Sequence, residues 1–260
     1  MKKQSQIFDP TRFGNCLKRE FALDCRSLLL KWLVLIAGLT AILYALTHPD
    51  IHDKWFESNQ SGTVYMVFCL SSFLVLMIGA SLFTQNMTSS GKRLNTLMSP
   101  CSTFEKYICR WLIYVLGITI MFLSSFAIAE GLRVLIIRVY EGDIPGLHCV
   151  SFSEFPLRDG EFFLQCCQLL AAQATFVLGS TIVPKNAFLK TAGVTVVICV
   201  AFSIAISCTY KLTMHPGYVP SLESETTLSY LIRVFPICWT IFCYITAYFR
   251  MKESEIIERF

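Results

Sequence analysis

Six apolar runs, each long enough to cross a bilayer, leave this 260-residue chain little freedom in how it can fold. They are Leu28–Leu46, Thr63–Phe83, Trp111–Gly131, Phe162–Val183, Phe188–Tyr210 and Tyr230–Phe249. About 20 residues, each rising about 1.5 Å, cross the hydrocarbon core. Lipid offers the backbone no hydrogen-bond partners, so every run must be helical. Charged residues make up only 15% of the chain, against roughly 25% in soluble domains, and the mean hydropathy is +0.56. No connection in the last two-thirds of the chain is long enough for a soluble domain. The expectation is an all-α integral membrane protein, one domain over residues 1–260 with six transmembrane helices.

Lysine and arginine set the orientation. With the N-terminus inside, the inner side holds Lys2, Lys3, Arg12, Lys18, Arg19, Arg26 and Lys31, then Lys92, Arg93, Lys106 and Arg110. Lys185, Lys190, Arg250, Lys252 and Arg259 complete sixteen of the 22 basic residues. Lys54, Arg133, Arg138, Arg158, Lys211 and Arg233 remain outside. Both termini are expected to be cytoplasmic, in a bacterial inner membrane. A basic cytoplasmic rim facing lipid headgroups accounts for the net charge of +4 without nucleic acid. The first apolar run starts only at Leu28 and no small-residue cleavage site follows it, so it reads as a retained span. Twelve cysteines include no CxxC pair, and Cys149 alone falls in a clearly external loop. They read as small buried apolar groups and not as a disulfide framework.

Ahead of the first span, Asp9-Pro10 is a strong helix start, an acceptor for free amides followed by a ring with φ already set. Phe13, Leu17 and Phe21 recur every four residues, with Arg12, Lys18, Arg19 and Arg26 on other faces. This predicts an amphipathic interfacial helix over 9–26, its aromatics dipped into the headgroup layer.

Between the second and third spans lies a polar passage, RLNTLMSPCSTFEKYICRW. Leu94, Leu97 and Met98 form a short apolar edge that Ser99-Pro100 breaks, because a residue before proline is pushed out of helical geometry. Ser102-Thr-Phe-Glu105 is a capping box, which predicts a helix from Thr103 that runs through Trp111 into the third span. The outcome is an elbow over 93–110 with Leu97, Met98 and Phe104 facing the cytoplasm.

Other polar residues have structural explanations beside functional ones. Glu130 and Arg133 are spaced to pair on one helical face. Gln165, Gln168 and Gln173 are candidates for a translocation path, or for hydrogen bonds between helices. His48, His52, His148 and His215 all fall outside the spans; no metal site is assigned to them. With no histidine in any span, an intramembrane Ser–His dyad or a histidine-ligated zinc centre is excluded. Only Glu130, near a span end, could serve a proton-coupled carrier, and no internal repeat marks one.

The elbow residues Pro100-Cys101-Ser102-Thr103-Phe104-Glu105-Lys106-Tyr107 are similar to a pattern in ABC-2 type permeases, the membrane subunits of ABC exporters. The basic N-terminal helix, the six spans, the Lys185–Thr191 loop and the C-terminal AYFRMKESEI resemble that family too. Ser99 departs from it, standing where such proteins usually place an apolar residue. The resemblance implies that Leu97, Met98, Ser99, Pro100, Ser102, Phe104 and Glu105 couple this chain to a separate ABC ATPase subunit. Two ATPase copies would act on a homodimer, or on a pair with a paralogous permease, and ATP would bind only the partner. Gly91-Lys92 lacks the remainder of a phosphate loop, so the chain has no nucleotide site or enzymatic activity of its own. A non-transporting membrane sensor or immunity-type partner, or a secondary carrier, is the alternative. Nothing in the loops selects a substrate.

The charge asymmetry is directly testable. In a cysteine-free variant carrying single cysteines at Ser89 or Ser221, an impermeant thiol reagent should label intact cells only at Ser221. Labelling at Ser89 would reverse the orientation.

Overall fold

The computed structural model describes residues 8–47, 56–87, 101–142, 147–150, 155, 161–213 and 222–257. These are almost wholly helical, with no strand among the described residues. The helices are α1 (Pro10–Thr47), α2 (Phe56–Ser81), α3 (Thr103–Trp111), α4 (Ile118–Glu141), α5 (Glu161–Ile182), α6 (Ala187–Thr213) and α7 (Leu222–Ile257). A 3₁₀ segment, Leu82–Met87, extends α2, and a π-helical segment, Leu112–Gly117, joins α3 to α4. Among the described residues, five stretches are long and apolar enough to cross a membrane: Pro10–Thr47, Gln60–Gln85, Thr103–Tyr140, Phe162–Ile182 and Arg233–Glu253. Ala187–Ala201 is a shorter apolar stretch within α6. This is the architecture of an all-helical, multi-pass membrane protein.

The residues expected to form a separate interfacial helix, 9–26, are instead the first part of α1. No glycine or proline occurs between Asn15 and Ala37, so nothing in the sequence breaks the helix there. At about 1.5 Å per residue its 38 residues extend about 57 Å, well beyond the bilayer core. Phe21 is 54% exposed, as an aromatic turned away from the protein should be.

The chain divides into two compact units, residues 1–79 with 100–161 and residues 80–99 with 162–260. In the first, α1 lies beside the rod formed by α3, the π segment and α4, and the two run parallel. Asp9 meets Glu105, Asp24 meets Tyr114, Trp32 meets Ser124, and Thr47 meets Arg133. Asp9 and Glu105 therefore stand at one end of the unit, Thr47 and Arg133 at the other. Between the two ends sits an apolar core of Leu39, Leu43, Val64, Val67, Phe122, Phe126, Ala129 and Phe155. Phe68 packs its ring at 5.0 Å from Phe126 and 5.5 Å from Phe155. Gly79 lets α2 close on α4, since a Cβ there would stand 2.8 Å from the Ile118 side chain.

The Thr47 end of this unit holds a buried polar cluster. Arg133, fully buried, donates to both oxygens of Glu130 at 3.0 and 2.6 Å, as the i,i+3 spacing predicts. It also donates to Thr47 Oγ1 at 3.2 Å and the His148 carbonyl at 3.3 Å. Gln60 donates to the same carbonyl, and Glu130 accepts from the Val150 amide. A pair expected to be local thus fastens α1, α2 and residues 148–150 to α4.

In the second unit, α5 and α6 meet through a tight turn in which Asn186 takes φ 56°, a left-handed geometry that asparagine tolerates. Gly179 faces Thr191 so closely that an added Cβ would overlap its side chain. Trp239 of α7 donates to Thr175 of α5 at 2.9 Å, and Thr84 donates to the Ser180 carbonyl at 2.7 Å. Pro236 lies within α7 and removes one backbone donor there.

Arg133→Met should destabilise the protein by about 3–5 kcal/mol, because Glu130 would be left charged and buried. Thermal unfolding in detergent measures this, and adding Glu130→Gln should restore part of the loss. An unchanged melting temperature for Arg133→Met would show that the cluster does not hold this unit together.

Candidate functional site

The capping box read from the sequence is present. Ser102 adopts φ −66°, ψ 155° as N-cap, and its hydroxyl accepts from the Glu105 amide at 3.2 Å. Glu105 Oε2 in turn accepts from the Ser102 amide at 2.9 Å. Residues 103–110 thus lie on a helix, as expected, and the apolar span continues from Trp111.

What the sequence did not reveal is that Glu105 has a second set of partners on α1. Asp9 is the N-cap of that helix, its carboxylate accepting from the Thr11 amide at 3.0 Å while Phe8 packs on Phe13. The Asp9 amide donates to Glu105 Oε1 at 2.8 Å. Arg12 donates through Nε to Oε2 at 2.9 Å and through Nη2 to Oε1 at 2.9 Å. In an ordinary capping box the third residue of the helix would bond the N-cap amide. Here that residue is Arg12, which cannot accept a hydrogen bond, and Glu105 acts in its place. One carboxylate closes the starts of two helices.

Glu105 is completely buried, with Lys106 and Arg110 also buried and Phe104 37% exposed. Burial alone would raise the Glu105 pKa. The Arg12 hydrogen bonds and the Asp9 and Ser102 amides outweigh it, and hold the carboxyl at about 2. The same pairing raises the Arg12 guanidinium above its ordinary value. Farther along, Tyr114 donates to Asp24 Oδ2 at 2.6 Å. The face of α1 bearing Asp9, Arg12, Cys16, Glu20 and Asp24 thus lies against α3 and the π segment.

Of the residues assigned to coupling, Ser102, Phe104 and Glu105 stand at the start of α3, whereas Leu97, Met98, Ser99 and Pro100 lie outside the described residues. The three glutamines do not share one surface: Gln165 and Gln168 are exposed, while Gln173 is fully buried on α5. His148 is exposed, and His48, His52 and His215 lie outside the described residues. Among the described residues no three His, Cys, Asp or Glu side chains are placed to hold a metal ion. Arg12, Asp24 and Tyr114 were missed because their partners lie about ninety residues away. The signal for Arg12 was its place at the third position of a helix capped by Asp9. No family model, curated protein or solved structure matches this chain.

The arrangement joins two helix starts through one carboxylate. A folded pKa below the ordinary 4.5 makes Glu105 stabilising above that value, and the contribution is lost as pH falls toward about 2. Glu105→Gln should lower stability by roughly 2 kcal/mol at pH 7, where the charge-assisted bonds are lost. The difference between parent and variant should narrow between about pH 4.5 and 2. Thermal unfolding across that range checks it; a pH-independent difference would remove the carboxylate from the account.

Proposed function

We propose that this chain is the membrane subunit of an ATP-driven exporter, coupled through residues 93–110 to a separate ATPase. The supporting observation is the Glu105 brace. A force applied at the start of α3 meets a capped helix end that is tied to α1 and continuous with a membrane-spanning rod. Phe104 is exposed beside the buried Glu105, so an aromatic contact is presented at the same helix end. Ser102 and Glu105 serve the reading as internal supports and Phe104 as the contact; Leu97 and Met98 would extend that contact. On this reading both termini are cytoplasmic and two copies of the chain, or this chain and a paralogue, line one path with two ATPase subunits beneath. The resemblance to ABC-2 permeases supports the same assignment.

The test is purification of the tagged full-length chain with the ATPase encoded beside it, followed by ATP turnover and export. Leu97→Ala with Phe104→Ala should weaken the association by about 2 kcal/mol or more, roughly 30-fold, while membrane insertion and melting temperature stay near the parent's. Normal ATPase association and export by that double variant would reduce the elbow to a connection between spans.

A further inference from the structure

Three thiols lie near one another where α1 runs beside the start of α3. Cys101 Sγ lies 4.0 Å from the Arg12 carbonyl and Cys109 Sγ lies 3.9 Å from the Phe13 carbonyl. Those carbonyls belong to the helical turn just before Cys16, the turn that a side chain at Cys16 covers, since helical side chains lean toward the N-terminus. Cys16 is 5% exposed and lies near enough to Cys109 and Cys101 for both thiols to bear on its acidity. Cys109 is fully buried, while Cys101 is partly exposed. The three are free thiols, and they do not form a three-ligand metal geometry.

We propose that this cluster is an oxidative modification site, in which a hydroperoxide oxidises Cys101 and Cys16 resolves the product into a disulfide joining α1 to α3. Each step balances. The Cys101 thiolate attacks the peroxide and its O–O bond breaks, giving the Cys101 sulfenic acid and an alcohol, or water from hydrogen peroxide. The Cys16 sulfur then attacks the Cys101 sulfur, the S–O bond breaks, and water leaves with the Cys16 proton. Access and position assign the roles. Cys101 is the most exposed of the three thiols, so a hydroperoxide reaches it first. Cys16 is buried and its pKa is raised, chiefly by its hydrogen bond with Cys109 and by burial. It is therefore a poor first target that needs a neighbour already oxidised. Cys101 sits on the Arg12 carbonyl, in the turn that the Cys16 side chain covers, so the two sulfurs are neighbours that must close to about 2.0 Å for the bond. Cys109, on the neighbouring Phe13 carbonyl, can take over the bond when its sulfur attacks Cys16, which releases Cys101 as the thiol. The site stands independently of what the protein carries or which partner it meets.

Trypsin separates the three positions cleanly, into FGNCLK for Cys16, LNTLMSPCSTFEK for Cys101 and YICR for Cys109. The full-length chain in detergent is exposed to hydrogen peroxide, alkylated without reduction, digested and mapped by mass spectrometry. FGNCLK should appear joined to LNTLMSPCSTFEK, with a joined FGNCLK–YICR species arising by exchange, and both should vanish on reduction. Cys16→Ser should abolish both species and leave a Cys101 sulfenic acid that dimedone traps. The parent's map decides the matter even if that variant folds poorly. Recovery of all three peptides as free thiols, at a peroxide dose that oxidises the exposed Cys149, would overturn the proposal. So would FGNCLK joined mainly to EFALDCR, the Cys25 peptide, because that would be unspecific scrambling.

Discussion

A single carboxylate, Glu105, decides how this fold begins. Every helix start leaves amides without intrahelical partners, and a membrane protein has fewer waters at hand to satisfy them. Glu105 takes the Ser102 amide at the head of α3 and the Asp9 amide at the head of α1, with Arg12 supplying charge to balance it. The contact that caps each helix is also the contact that sets the two side by side. Either helix can shift along the other only by leaving a buried anion short of donors, and an unsatisfied buried charge is the costlier outcome.

The same logic recurs at the other end of that pair. Glu130 and Arg133 stand about seven turns beyond Glu105 on the continuous rod, and Arg133 reaches the last residue of α1, Thr47. Between the two polar ties the interface is carried by Trp32, Leu39, Leu43 and the phenylalanines of α4. The order is polar, apolar, polar, which suits a bilayer: packing alone gives little preference for one axial position in lipid, where the hydrophobic effect between helices is weak. Hydrogen bonds at both ends fix that position. The π segment at Leu112–Gly117 lies between the lower tie and the apolar core, where α3 must turn its polar face to α1 before α4 turns its phenylalanines to the same neighbour.

Local features were legible in the sequence and distant pairings were not. The Ser102–Glu105 box and the Glu130–Arg133 pair each depend on a spacing of three residues, and a spacing can be read. Apolar run length likewise located five long apolar helices, although the first extends as one helix from Pro10. Of the expected run from Phe188 to Tyr210, the described residues give only the shorter stretch Ala187–Ala201. The division expected near residue 26 was inferred from amphipathicity, yet amphipathicity does not end a helix; glycine, proline or a cap does, and none is present. Arg12 was counted as one more basic residue for the headgroups. Its pairing with Glu105 joins positions 93 residues apart, which only the tertiary arrangement determines. The glutamines of α5 differ in burial in a way residue type does not announce: Gln173 is buried while Gln165 and Gln168 are exposed.

The exposed residues complete the physical account. Leu30, Leu33, Val34, Leu189, Val197, Phe235 and Phe242 are each more than half exposed, an arrangement that water would penalise and lipid would not. The apolar surface therefore holds these helices in the bilayer without deciding how they pack, and the polar residues take over that role. It follows that substitutions should divide by chemistry more than by depth. An exposed Leu or Val exchanged for another apolar residue meets the same lipid and loses little. Loss of Glu105, Arg12 or Arg133 removes a tie for which the surrounding hydrocarbon has no replacement.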